Sequence, residues 1–143
     1  MTVHRARWLR RLLLVPVLLL PMAAAAGGEG SDARSESVRH GELLYRIHCL
    51  NCHGDAGRGG GPMEEVLTVS PGDLSRLAAR HGGEFPADEV RMVVDGRDLV
   101  RGHGMREMPV WGLTFQIQGT NEREEDVQAR IGDLIAYLES IQR

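Results

Sequence analysis

The chain contains two cysteines, and their arrangement constrains it more than any other feature. Cys49 and Cys52 stand three positions apart, and His53 follows directly. Two thiols at this spacing can reach the two vinyl groups on one edge of a porphyrin and bind them as thioethers. The adjacent imidazole can then turn under the ring and bind the iron. A Cys-x-x-Cys-His motif at the end of a helix therefore predicts covalent attachment of one haem c, with His53 as an axial ligand.

The first 26 residues have the three parts of a secretory signal peptide. A start with four arginines and no acid is followed by nine apolar residues at 12–20 and by alanines that end at Ala26. The apolar run is too short to cross a bilayer comfortably, so we predict export and cleavage of residues 1–26. An uncleaved N-terminal anchor and a twin-arginine export signal are the alternatives. After export the chain would work outside the cytoplasm, where thiols tend to oxidise.

Three other interpretations of the cysteine pair compete with haem attachment. A thiol oxidoreductase carries its Cys-x-x-Cys beside a strand followed by a helix, and no such pattern occurs here. A zinc site would need further cysteines to complete it. A plain structural disulfide is the third. Export, the cysteine count and the adjacent His53 together favour haem.

Hydrophobic periodicity predicts a small all-α domain of four or five helices over residues 37–143, after a flexible leader of small and polar residues at 27–36. In the clearest helix, the last, Asn121 and Glu124 form a capping pair. Its apolar stripe comprises Val127, Ile131, Leu134, Ile135, Leu138 and Ile141. The other predicted helices are Ser37–His48, Asp73–Arg80 and Ala87–Asp95, and the predicted loops are 54–62 and 96–120.

Large side chains that could fill a core are scarce. The aromatic residues after the signal segment are Tyr45, Phe85, Trp111, Phe115 and Tyr137, whereas the chain holds 18 glycines. A domain of this size needs large side chains, a disulfide or a bound group to close its core. The composition therefore indicates that something other than side chains fills the middle.

From Ser37 to Gln142 the chain resembles a class I monohaem cytochrome c, one of the bacterial periplasmic electron carriers. The resemblance rests on CLNCHG at 49–54, Gly61-Pro62, GMREMPVWG at 104–112 and the final YLESIQ at 137–142. It implies the small cytochrome c fold around a covalently bound haem, a periplasmic location and the role of an electron carrier.

The resemblance also implies that the first and last helices cross. We expect Gly41 and Tyr45 on the first helix to face Tyr137 and Leu138 on the last one. A glycine at such a crossing lets the backbones approach closely, which offsets its helix cost of about 1 kcal/mol.

The second axial ligand implied by the resemblance is Met108, with Pro109 fixing the turn that presents it. Iron held by histidine and methionine has a raised potential and no open position, which suits electron transfer. Two alternatives stay open. Met105 lies three residues earlier, and His103 would give a bis-histidine site of lower potential.

Further residues are expected to support the haem. By resemblance, the backbone carbonyl of Pro62 accepts a hydrogen bond from His53, and Trp111 packs on the haem edge. The arginines that could pair with the propionates are Arg97, Arg101 and Arg106. The histidines expected at the surface or at helix ends, without a role on iron, are His40, His48 and His81.

The predicted function is reversible one-electron transfer through haem c, so the chain is not expected to be an enzyme. Its partners would be redox proteins such as a periplasmic or membrane-bound dehydrogenase, an oxidase or another cytochrome. All 20 acidic but only 13 of the 17 basic residues follow Ala26, which gives that part of the chain a net charge of about −7. This charge disfavours nucleic acid and favours a basic partner surface. Membrane association is expected only if the signal segment stays uncleaved.

Two other functions remain open at this point. The chain could be the cytochrome subunit of a periplasmic dehydrogenase or oxidase complex, which would expose an apolar patch beyond the haem edge. It could also be a haem sensor or peroxidase-like protein, which requires a sixth iron position that a ligand can occupy.

Overall fold

A computed structural model describes residues 29–97, 108–119 and 122–143. The described part of the chain is helical with connecting turns and has no β-strand. Its α-helices are α1 (Glu29–His48), α2 (Leu50–His53), α3 (Leu77–Arg80), α4 (Ala87–Asp95), α5 (Trp111–Gln118) and α6 (Glu124–Ser140). Three 3-10 turns cover Asp55–Gly57, Glu64–Val66 and Leu74–Arg76. The all-α prediction is confirmed, although α2 and α3 raise the helix number above the expected four or five.

Several predictions fall outside the described residues. These are the signal peptide at 1–26, the alternative ligands His103 and Met105, the arginines Arg101 and Arg106, and the helix cap Asn121. Within the described ranges, no helix combines the length and apolar character needed to cross a membrane.

The crossing of α1 and α6 occurs at Gly41, as predicted. A β-carbon on Gly41 would lie 2.8 Å from the β-carbon of Tyr137 and closer still to the carbonyl oxygen of Asp133. One turn further along α1, the ring of Tyr45 packs on that of Tyr137 with centroids 5.2 Å apart. Glycine at this position therefore sets how closely the two longest helices approach.

The core forms along the stripe of α6 that periodicity predicted. Five of the six predicted positions are buried, and Ile141 packs against them. From α4, Val90 and Val94 join this cluster, and Phe115 of α5 is completely buried in it. The helices therefore pack around α6, which is the physical reason why its pattern was the clearest in the sequence.

The first helix begins earlier than predicted. α1 begins at Glu29 rather than at Ser37, so the predicted leader is helical from Glu29 onward. The guanidinium of Arg34 lies 3.0 Å from the carboxylate of Glu139 on α6, which ties the first turns of α1 to the domain. The Ser37 hydroxyl donates to the Asp133 carboxylate instead of capping a helix.

The loop predicted for residues 96–120 is also partly wrong, because Trp111–Gln118 forms α5. The large apolar residues of this segment recur at every second position (Trp111, Leu113, Phe115, Ile117), which is not a helical period. Tertiary packing stabilises the helix instead. Phe115 is buried in the core, and Gly112 leaves room for the side chains of Asp95 and Arg97.

The short helices follow the predicted boundaries closely. Asp73 accepts a hydrogen bond from the N–H of Ser75 at 2.9 Å and so caps the segment that ends at Arg80. α4 spans Ala87–Asp95 and ends at Gly96, which has a φ of 70°. Glu124, the predicted partner of Asn121, is the first residue of α6, and the preceding Arg123 supplies no side-chain cap.

Candidate functional site

The Cys-x-x-Cys-His motif forms a separate helical turn at the end of α1. The carbonyl of Cys49 accepts hydrogen bonds from the N–H groups of Cys52 (3.1 Å) and His53 (2.8 Å). These bonds close one turn that carries both thiols and the imidazole. The two cysteines are free thiols, with Cys49 buried and Cys52 half-buried.

The environment of Cys49 does not suit thiol–disulfide exchange. Burial raises the pKa of the Cys49 thiol to about 12, and the neighbouring Cys52 acts in the same direction. A reactive exchange cysteine requires a lowered pKa, because the thiolate is the nucleophile. The described residues contain no cluster of three or more His, Cys, Asp or Glu side chains suited to a metal ion.

A glycine turn holds the motif in place. Gly54 has a φ of 71°, and a β-carbon there would lie 2.6 Å from the carbonyl carbon of Gly59. The N–H of Gly59 donates to the carbonyl of His53 at 2.8 Å, so the chain folds back directly over the motif. The buried hydroxyl of Tyr45 donates to the Gly54 carbonyl at 2.7 Å. This bond ties the turn to α1.

His53 is half-buried, and its buried Nδ1 atom has no hydrogen-bond partner. Burial lowers the pKa of His53, and the nearby backbone of Gly72 offsets this only in part. The imidazole is therefore neutral near pH 7, the form in which histidine binds metals.

The hydrogen bond predicted from His53 to the Pro62 carbonyl is absent. The residues on both sides of Pro62 are held against Asn51: the N–H of Met63 donates to its carbonyl at 2.9 Å, and Gly61 packs on the same backbone. This anchoring leaves Pro62 in an exposed turn, and Pro62 lines neither cavity at the site.

Two cavities meet at the motif. The larger has a volume of about 610 Å³ and is lined by both cysteines, His53, Met108 and Trp111, among others. The smaller, of about 120 Å³, lies between the motif and the core. Its apolar walls include Leu74, Leu77, Val90, Val94, Leu134 and Leu138. The larger volume falls within the range of about 300–1,000 Å³ typical of ligand and cofactor sites.

Three of the predicted haem residues, Cys49, His53 and Met108, line both cavities. Met108 is half-buried and packs against the core. The fold therefore brings a thiol, an imidazole and a thioether from distant parts of the sequence to one apolar space. These donors fit haem c: the thiols are not joined to each other, the imidazole nitrogen Nδ1 is unpaired, and the walls are apolar.

Arg97 does not serve as a free partner for haem propionates. Its guanidinium binds Asp95 through two nitrogens, at 2.6 and 2.8 Å, and Glu124 at 2.6 and 2.7 Å. The guanidinium, with help from Gln128, lowers the pKa of Asp95 to about 2. The network joins the end of α4 to the start of α6, so its role in the described structure is architectural.

The three remaining histidines lie at the surface or, for His48, at the end of α1, as predicted. His40 and His81 are exposed, as expected, and His81 lies 3.1 Å from the Glu89 carboxylate. His48, by contrast, is half-buried and packs on the rings of Trp111 and Phe115. No local pattern could have shown this, because the partners of His48 lie far along the chain.

Comparisons with protein-family models, with curated proteins and with solved structures find no match to this chain.

Proposed function

We propose that this chain is an exported, periplasmic one-electron carrier with a single covalently attached haem c. In this proposal Cys49 and Cys52 form the thioether bonds, while His53 and Met108 are the axial ligands of the iron. No substrate bond changes, so the chain is a carrier and not an enzyme. Its partners are other redox proteins, such as a dehydrogenase, an oxidase or another cytochrome.

One observation carries the proposal. Cys49, His53 and Met108 line the same two cavities, although Met108 lies in a segment far from the motif in sequence. The spacing of the motif alone suggests haem attachment, but it does not require a methionine nearby. The convergence of these side chains supports His/Met ligation independently of the motif.

The residues of the chain would determine how the site behaves. When bound, haem c supplies an iron that takes up and releases one electron. The thioether of Met108 is a soft ligand that favours the ferrous state and so raises the potential. The apolar walls from α4 and α6 keep water away, which favours the state of lower charge. The turn closed by Gly54 and Tyr45 keeps the motif rigid.

The decisive experiment combines intact mass with absorbance spectra of the exported protein. We expect a mass gain of one haem, no alkylatable thiol, and a colour that survives denaturation. The mass will also report whether residues 1–26 have been removed. The matched control, Cys49→Ser with Cys52→Ser, should export a colourless chain. A wild-type product that is colourless, with two free thiols, would contradict the proposal.

The sixth ligand has its own test. Met108→Ala should abolish the low-spin His/Met spectrum and lower the reduction potential markedly, because a soft sulfur ligand is lost. Met105→Ala is the matched control and should leave both unchanged. The reverse pattern would transfer the ligand role to Met105. Rapid carbon monoxide binding to the reduced wild-type protein would instead favour a haem sensor or peroxidase-like protein.

A second candidate function is that of a cytochrome subunit in a periplasmic dehydrogenase or oxidase complex. It is favoured by exposed apolar side chains that line the larger cavity, with Ile47 58%, Met63 44% and Val69 63% exposed. Apolar exposure of this kind marks interaction surfaces. Size-exclusion chromatography of the native extract separates the two cases: a carrier elutes alone, and a subunit elutes with a larger partner.

A further inference from the structure

Three aromatic rings join the end of α1 to α5. The centroid of the His48 ring lies 5.2 Å from that of Trp111 and 5.3 Å from that of Phe115, with interplanar angles of 55° and 67°. Trp111 and Phe115 lie 6.0 Å apart. At such distances and tilts, rings attract each other beyond the effect of burial alone. Because Phe115 is completely buried, the core anchors this ring cluster.

The ring cluster lies between the two segments that the proposed function needs. His48 directly precedes Cys49, and Trp111 follows Met108 with only two residues between them, the first of which is a proline. Proline fixes its φ near −65°, so little backbone freedom separates α5 from Met108. Any movement of α5 away from His48 would therefore displace Met108 as well.

The electrostatic surroundings favour a neutral His48 ring. Burial lowers the pKa of His48, and the positive charge of Arg130 on α6 lowers it further. The Arg130 guanidinium lies 6.0 Å from the centroid of Phe115 and pairs with Glu122. His48 therefore packs on its neighbours as an uncharged aromatic ring.

We propose that His48 is a positioning residue that holds the Met108 segment against the haem-binding turn through its packing on Trp111 and Phe115. This inference rests on the proposed function, in which Met108 binds the iron. His48 acts through α5 and not on the iron itself. What matters is then the aromatic ring, and the two imidazole nitrogens are dispensable.

The test compares His48→Ala with His48→Phe in the haem-loaded protein. Cyanide can bind the ferric iron only when Met108 leaves, so cyanide affinity reports how firmly the methionine is held. We expect His48→Ala to raise that affinity about tenfold, which equals about 1.4 kcal/mol, and to weaken the ferric sulfur-to-iron charge-transfer band. His48→Phe should stay within about threefold of wild type, because ring packing is retained. If His48→Ala does not retain haem, His48→Leu supplies the same comparison.

A general loss of stability is controlled by Ile135→Val, which removes one methyl group from a core position outside both cavities. This variant should lower the unfolding midpoint and leave cyanide affinity unchanged. Hydrogen exchange provides a second readout, with amide protection of α5 reduced in His48→Ala alone. The positioning role is wrong if Ile135→Val raises cyanide affinity as much as His48→Ala does. It is also wrong if His48→Phe raises that affinity as much as His48→Ala does. A wild-type chain without haem would refute the proposed function instead.

Discussion

Replacement of Gly41 by alanine tests the packing on which the fold depends. The added β-carbon would lie 2.8 Å from the β-carbon of Tyr137, whereas ordinary contact begins at 3.4 Å. The helices α1 and α6 would have to separate by 0.6 Å or more, and further at the Asp133 carbonyl. Because that neighbour is backbone, it cannot rotate away as a flexible side chain could.

The expected loss of stability follows from three contributions. Overpacking costs about 1–3 kcal/mol, and the rigid neighbour places this substitution at the upper end. Separation of the Tyr45 and Tyr137 rings costs about 1 kcal/mol more. The higher helix propensity of alanine stabilises the folded state by about 1 kcal/mol and offsets that cost. The net loss is then about 3 kcal/mol, which lowers the thermal midpoint of a domain this size by more than about 10 °C.

Urea and thermal unfolding, followed by far-UV circular dichroism, measure this loss. The matched control is Gly132→Ala on α6, where an added β-carbon meets nothing closer than a guanidinium nitrogen of Arg91 at 3.9 Å. That variant should be as stable as wild type or up to about 1 kcal/mol more stable. Equal stability changes in the two variants would refute the crossing at Gly41.

Two further predictions concern single side chains. Arg97 binds Asp95 and lowers the pKa of its carboxyl group to about 2. The stability that this ion pair gives the folded chain is present above the ordinary pKa of 3.8 and is lost as the pH falls from about 4 toward 2. Wild type should therefore exceed Asp95→Asn in stability by about 1–2 kcal/mol at pH 6, and urea unfolding at pH 3 should show a smaller difference. In the haem-free chain, iodoacetamide should modify Cys49 more slowly than Cys52, because Cys49 is buried and its pKa is raised to about 12. Peptide mass spectrometry at pH 8 measures both rates, and equal rates would contradict the described burial.

The features that could be predicted from the sequence are those with a local signal. The bounds of α4 follow from its apolar period and from Gly96, and the stripe of α6 follows from period 3.6 alone. The crossing at Gly41 was expected from the family resemblance, and the structure confirms it. The candidate site combines a local motif, Cys49–His53, with Met108, whose place was implied by the same resemblance.

The features that could not be predicted depend on distant contacts. α5 has no helical period, and burial of Phe115 stabilises it. The first turns of α1 gain an ion pair between Arg34 and a residue of α6, which no nearby sequence reveals. The exposed position of Pro62 follows from the contacts of its neighbours Gly61 and Met63 with Asn51 of α2. In each case tertiary structure overrides the local pattern.

The placement of the aromatic residues connects the composition to the candidate site. The rings of Tyr45 and Tyr137 form one pair, and those of Trp111 and Phe115 belong to the ring cluster with His48. Tyr45 lines the smaller cavity and Trp111 the larger one, so these rings border the central space and do not fill it. Aliphatic residues of α4 and α6 form most of the remaining core, so the central space is left for the haem that we propose. The thiols, imidazole and thioether around the same space identify the chemistry by which such a group would be held.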